Sequence, residues 1–144
     1  MELALAEARA AAARGETPVG AVITDPATGL VLAREGNRVR ELGDPTAHAE
    51  MLAIRAACRR VGSERLVGLD LTVTLEPCPM CAAAIAQARI ARLYFGAFDP
   101  KSGGVEHGPC IFAHPQCHHR PEIYPGIAEA EAAELLRDFF AALR

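Results

Sequence analysis

Between Val19 and Gly96 the chain alternates two kinds of segment, and their lengths leave little choice of architecture. Short apolar runs at 19–24 (VGAVIT), 70–76 (DLTVTLE) and 91–96 (ARLYFG) have the length and composition of strands, as does LVLAREG at 30–36. The turn residues DPATG at 25–29 join the first and last-named runs into a hairpin. Residues 46–61 carry Met51, Ile54, Cys58 and Val61 at helical spacing, and 78–89 (CPMCAAAIAQAR) is a second helical stretch. Both are long enough to carry the chain across a sheet between strands. An opening helix runs to about Arg14, where Gly15 and Pro18 stop it. A last helix spans about Ala128 to Leu143, with Ala132, Leu135, Leu136, Phe139 and Leu143 on its buried face. EIY at 122–124 is a short strand or an extended segment, 37–45 is a polar loop, and 97–120 has no clear period. This pattern predicts the α/β class: a mixed sheet covered by helices on both faces, in one domain over 1–144.

Composition narrows the function classes. With 51% hydrophobic and 23% charged residues, the chain can bury a core and is not a disordered segment. It contains no apolar run of about 18 residues, so no membrane span is expected. The start, MELALAEARAAAARGE, carries Glu2 and Glu7 without a basic region, and reads as a helix of the fold rather than a targeting peptide. Five cysteines make an odd number, which with no secretion signal predicts reduced thiols and a cytoplasmic location. The net charge of −3 is unevenly spread: −2 over 1–25, +2 over 26–121 and −3 over 122–144. An ordinary solvated surface explains this, and so does a basic patch around a site in the middle of the chain.

Cys78 and Cys81 form a Cys-x-x-Cys after Pro77, open to three readings: a redox pair, half of a structural zinc site, or two ligands of a catalytic zinc. A structural zinc takes four protein ligands, usually from two such pairs, and the remaining cysteines (Cys58, Cys110 and Cys117) are isolated. His48 supplies a third ligand. It lies near the start of one predicted helix, and Cys78 and Cys81 lie in the first turn of another, on one face. Two helix N-termini pointing at one place favour thiolate there. Three protein ligands leave one position of a tetrahedral zinc free for water, the mark of a catalytic site.

Glu50 has an ordinary reading as the acid of a capping box, but that requires Ala47 as the cap, which is a poor one. In a helix Glu50 stands beside Ala53, Ile54 and Ala57. There its carboxyl is expected to be partly desolvated, with its pKa raised toward the range useful for proton transfer. Two residues from His48, it points elsewhere and need not bind the metal.

The pair HAE at 48–50 and PCPMC at 77–81 resembles the cytidine deaminase superfamily, whose zinc enzymes deaminate nucleobases. Longer stretches resemble one branch, the bacterial tRNA adenosine deaminase family: PVGAVI (18–23), GN (36–37), DPTAHAE (44–50), VTLEPCPMC (73–81), RIARLYFGAFDPKSGG (89–104) and LLRDFF (135–140). The resemblance covers nearly the whole chain. It implies a three-layer α/β/α sandwich with about five strands, one zinc per chain, a homodimer, and conversion of adenosine to inosine at the wobble position in the tRNA anticodon loop. It matches Asn37 to a base-contacting residue, and Asp99 and Lys101 to a loop that meets the substrate. Without it, Asn37 after Gly36 and Asp99 before Pro100 are equally turn residues. Phe98 departs from the family pattern; stacking on an unpaired base and buried packing are both open to it. Cys110, Cys117 and the histidine-rich HPQCHH also stand outside it, and adjacent His118 and His119 are poorly placed to share one ion.

Under this reading Glu50 takes a proton from water and returns protons to the adenine ring and to the departing ammonia. The alternative enzyme is a deaminase of a free base or nucleoside, such as guanine or cytosine, sharing every metal ligand. The rival from another class is a non-catalytic zinc-stabilised binding module. A fourth protein ligand, Cys110 or Cys117, would mark it.

Overall fold

The computed structural model describes residues 1–144. Helix α1 (Glu2–Ala13) precedes a hairpin of β1 (Gly20–Thr24) and β2 (Val31–Gly36). A short helix α2 (Val39–Leu42) leads into α3 (Ala49–Val61), then β3 (Asp70–Leu75), α4 (Pro79–Gln87) and β4 (Arg92–Ala97). A 3-10 turn at Ile111–Ala113 interrupts the connection to β5 (Glu122–Tyr124), and α5 (Glu129–Ala142) follows. The five strands form one sheet in the order β2-β1-β3-β4-β5. β1 pairs antiparallel with β2 and β3, whereas β3–β4 and β4–β5 are parallel, so the sheet is mixed as expected.

Side chains pin the parallel pairs. Asp70 lies opposite Arg92 in the β3–β4 ladder, and the two form an ion pair at 2.6 Å. Tyr94 lies opposite Tyr124 in β4–β5, and their rings stack at 4.8 Å.

Small residues set how closely the layers approach. α1 buries Ala4, Ala8 and Ala11, and its backbone lies so near β1 that a Cβ on Gly20 would fall 1.9 Å from the Ala4 carbonyl oxygen. On the opposite face α3 and α4 cover the main core, in which Val73, Ile85, Leu93 and Phe95 are fully buried. The buried stripe of α3 is Ala49, Glu50, Ala53 and Ala57. This corrects the expected stripe in part: Ile54 and Cys58 pack against the core while half-buried, whereas Met51 is half-buried and Val61 is exposed. The small alanines let α3 sit close to the sheet, which turns the bulkier residues to its flank. The last helix also buries less than expected. Ala132 is buried, Leu135, Leu136 and Phe139 are half-buried, and Leu143 is exposed.

The loop expected at 37–45 contains α2. Two of its free N–H groups, on Arg40 and Glu41, donate to the buried Glu16 carboxylate at 3.1 and 2.8 Å. Parallel pairing brings the C-terminal ends of β3 and β4 together, with Leu75 opposite Ala97. The chain leaves one end through Glu76-Pro77-Cys78 and the other through Phe98-Asp99, so a crevice opens where parallel strands commonly place a ligand.

Candidate metal centre and substrate pocket

His48 is the N-cap residue of α3 and Cys78 that of α4, both in extended backbone conformation. Neither side chain caps its own helix, so both are free to turn toward the crevice. Pro79 occupies the first position of α4, where its missing N–H costs nothing. Cys81, one turn on and fully buried, joins them. His48 Nδ1 lies 3.6 Å from Cys78 Sγ and 3.5 Å from Cys81 Sγ. A tetrahedral zinc with ordinary Zn–N and Zn–S bonds requires N to S separations of about 3.6 Å. The donor set therefore fits one zinc, and it is the only place where three such side chains meet.

In this structure the Cys78 thiol is held down to about 4, first by its hydrogen bond with Cys81, and Cys81 is pushed up by the same bond and by burial. The hydrogen bond to Cys78 also raises His48. The three groups share protons that a cation displaces on binding.

Cys110 and Cys117 do not reach this centre. Their sulfurs meet backbone carbonyls, of His107 at 3.7 Å and His119 at 3.1 Å. His119 Nε2 bonds to the Ile90 carbonyl oxygen at 2.6 Å, a packing role. The fourth protein ligand that would mark a non-catalytic zinc module is therefore not supplied by either cysteine.

Glu50 stands in the first turn of α3, buried, on the wall of a cavity of about 440 Å³ that His48 and Cys78 also line. Burial pushes its carboxyl up to about 7. Between about pH 4.5 and 7 the folded chain therefore holds a proton that the unfolded chain has lost, and stability falls as pH rises through that window. Glu50→Gln removes the penalty. The metal-free variant is expected to be more stable than the metal-free parent at pH 8, by roughly a few kcal/mol at about 1.4 kcal/mol per pH unit. The two should converge near pH 4.5. An equal difference at both pH values would contradict this origin of the shift.

The same cavity is lined by Asn37 and Asp99, which the sequence singled out, and by Glu16 and Glu76, which it did not. Asn37 is buried, and its Oδ1 accepts the Ala49 N–H at 2.7 Å, serving as the missing cap of α3. Its Nδ2 makes no hydrogen bond within the chain and is not sealed from solvent. Asp99 does make a turn: its Oδ1 accepts the N–H groups of Lys101 and Ser102 at 3.2 and 3.0 Å. Lys101 stands apart, in an adjoining cleft with Phe98, Phe140, Leu143 and Arg144. Phe98 meets Phe95 edge-on at 5.4 Å and His107 at 6.1 Å, so it packs, while remaining 36% exposed.

Residues 1–97 match the family described as the cytidine and deoxycytidylate deaminase zinc-binding region. A tRNA-specific adenosine deaminase of Agrobacterium fabrum is 61% identical over 97% of this chain and 91% of its own length. The chain belongs to the tRNA adenosine deaminase family. A second member, from Rickettsia bellii, is 44% identical over the whole chain and 99% of its own length. A solved structure from a study of A-to-I editing by tRNA:A34 deaminases superposes with a TM-score of 0.91 at 61% identity, covering 94% of this chain and 97% of the other. The family fold is thus this α/β/α sandwich, and its zinc-binding region contains the donors that meet here.

Proposed function

We infer that this protein is a zinc-dependent hydrolase that converts adenosine to inosine at the wobble position of tRNA, with His48, Cys78 and Cys81 holding one zinc. The observation that carries the reading is the meeting of those three donors beside a cavity that His48, Cys78 and the buried Glu50 carboxyl line, in a chain similar along its whole length to tRNA-specific adenosine deaminases. The reaction consumes one water and releases one ammonia as the C6 amino group is replaced by oxygen. When bound, zinc supplies a Lewis acid that makes water ionisable near neutral pH. Glu50 accepts one proton from the attacking water and passes it to the ring nitrogen, then takes the second proton from the new hydroxyl and delivers it to the amino group, which leaves as ammonia. Burial, which disfavours the charged form of the Glu50 carboxyl, keeps it ready both to take and to give a proton.

Asn37 offers its free amide N–H to the base, and Asp99 closes the cavity from the loop side. A flipped wobble base enters the cavity, while Lys101 and the aromatic cleft beside it meet the neighbouring nucleotides. The reading extends to one deaminase domain over 1–144, a homodimer as the working form, and a cytoplasmic location. No helix is long and apolar enough to cross a membrane. Light scattering of the zinc-loaded protein tests the dimer.

The rival substrate is a free base or nucleoside. Mass analysis of an anticodon stem-loop with adenosine at the wobble position, alongside free adenosine, guanine and cytidine, separates the two. Turnover of the stem-loop is expected to dominate, and its binding should weaken as salt rises. Lys101→Ala should flatten that salt dependence by about one phosphate contact. Preference for a free base with salt-independent binding would overturn the tRNA reading and leave the deaminase standing.

A further inference from the structure

The mechanism above leaves one buried charge without a task. Glu76 follows β3 directly, its side chain has no exposed surface, and it belongs to neither the metal nor the proton chemistry. Its two oxygens meet five donors, all from one loop. Oε1 accepts the Asp99 N–H at 3.0 Å and faces His107 Nδ1 at 2.8 Å. Oε2 accepts the consecutive N–H groups of Val105, Glu106 and His107 at 3.2, 2.9 and 3.1 Å. Three successive backbone donors around one oxygen form an anion nest, here filled by the protein's own carboxylate.

The loop closes tightly around this anchor. A Cβ on Gly103 would sit 2.5 Å from both the Glu76 carboxylate and the Asp99 carbonyl oxygen. One on Gly104 would sit 2.6 Å from the Pro79 nitrogen, so the loop lies directly against the metal-bearing turn. Gly104 N–H donates to the Pro77 carbonyl oxygen at 2.8 Å. The same loop places Asp99 and Ser102 on the cavity wall and Lys101 in the cleft beside it.

We propose that Glu76 is the positioning residue for substrate binding: it fixes the 99–107 loop against the metal turn and so shapes the wall that receives the nucleotide. This rests on the function assigned above. Glu76 touches no reacting atom and acts through Asp99, Ser102 and Lys101. An amide cannot replace it. Glutamine has one acceptor oxygen, and if that oxygen serves the three-donor nest, its NH₂ faces the Asp99 N–H, donor against donor.

The test uses Glu76→Gln and, as a variant that keeps the carboxylate, Gly103→Ala, whose methyl lifts the loop from its anchor. Zinc content, hydrogen exchange at the amides of residues 99 and 105–107, and kcat and KM on the anticodon stem-loop are measured for both and for the parent. Both variants should hold zinc at the parent level, exchange those amides faster, and raise KM by about 10- to 100-fold, the factor for losing one hydrogen bond to a charged group. The fall in kcat/KM should lie mainly in KM. Parent-like exchange at those amides overturns the proposal, as does a loss confined to kcat or a loss of zinc. If Glu76→Gln does not fold, Gly103→Ala decides by the same readouts. If the parent does not turn over the stem-loop, the functional assignment fails, and hydrogen exchange still reads the anchor by itself.

Discussion

Glu50→Ala leaves a folded protein that retains its zinc and turns over substrate at least 10²–10⁴-fold more slowly, the range for removing a general acid–base group. The retention of fold follows from the energetics of the site. The carboxyl is buried at a cost that shows as its raised value, so truncating it relieves desolvation as well as losing contacts. The retention of zinc follows from geometry, because the donors that fit the ion are His48, Cys78 and Cys81. Single-turnover rates with saturating stem-loop, set beside elemental analysis of the same sample, read both at once. A rate near that of the parent with full zinc would remove Glu50 from the chemistry.

Cys78→Ala abolishes zinc binding and, with it, turnover. Altering the groups that merely support metal ligands costs about 10–100-fold in affinity, and here one of three protein ligands is removed outright. The two that remain, His48 and Cys81, cannot complete a tetrahedral site with the thiolate that the α4 N-terminus favours. Elemental analysis after dialysis should fall from one zinc per chain to near zero, and added zinc should not restore activity at levels that saturate the parent. Full retention of zinc would mean that another side chain holds the ion.

The parts of this site that could be read from the chain are those whose geometry is local. Cys78 and Cys81 sit one helical turn apart, and His48 and Glu50 straddle a helix start, so their spacing carries their directions. Asn37, Asp99 and Lys101 came from resemblance alone, and the structure divides them, with Lys101 outside the cavity that the other two line. Glu76 gave no signal because its partners lie 23 to 31 residues downstream and are mostly backbone N–H groups, which every residue but proline carries. Glu16 was hidden for the same reason, capping a four-residue helix more than twenty residues away. In the fold, strand and helix order followed from length and periodicity. The buried face of α3 did not, because hydrophobicity rewards bulk, whereas the close approach of α3 to the sheet selects Ala49, Ala53 and Ala57.

The cavity's parts are spread along the chain in a definite order. The metal donors are complete at Cys81, the loop wall at Ser102, and the rim contributed by Phe139, Phe140 and Leu143 comes last. On a ribosome, a growing chain therefore possesses every zinc ligand some sixty residues before it possesses the rim that frames the opening. The residues that bind the metal and those that frame the opening are therefore separate along the chain, so that the framing side chains can be exchanged without touching a zinc ligand.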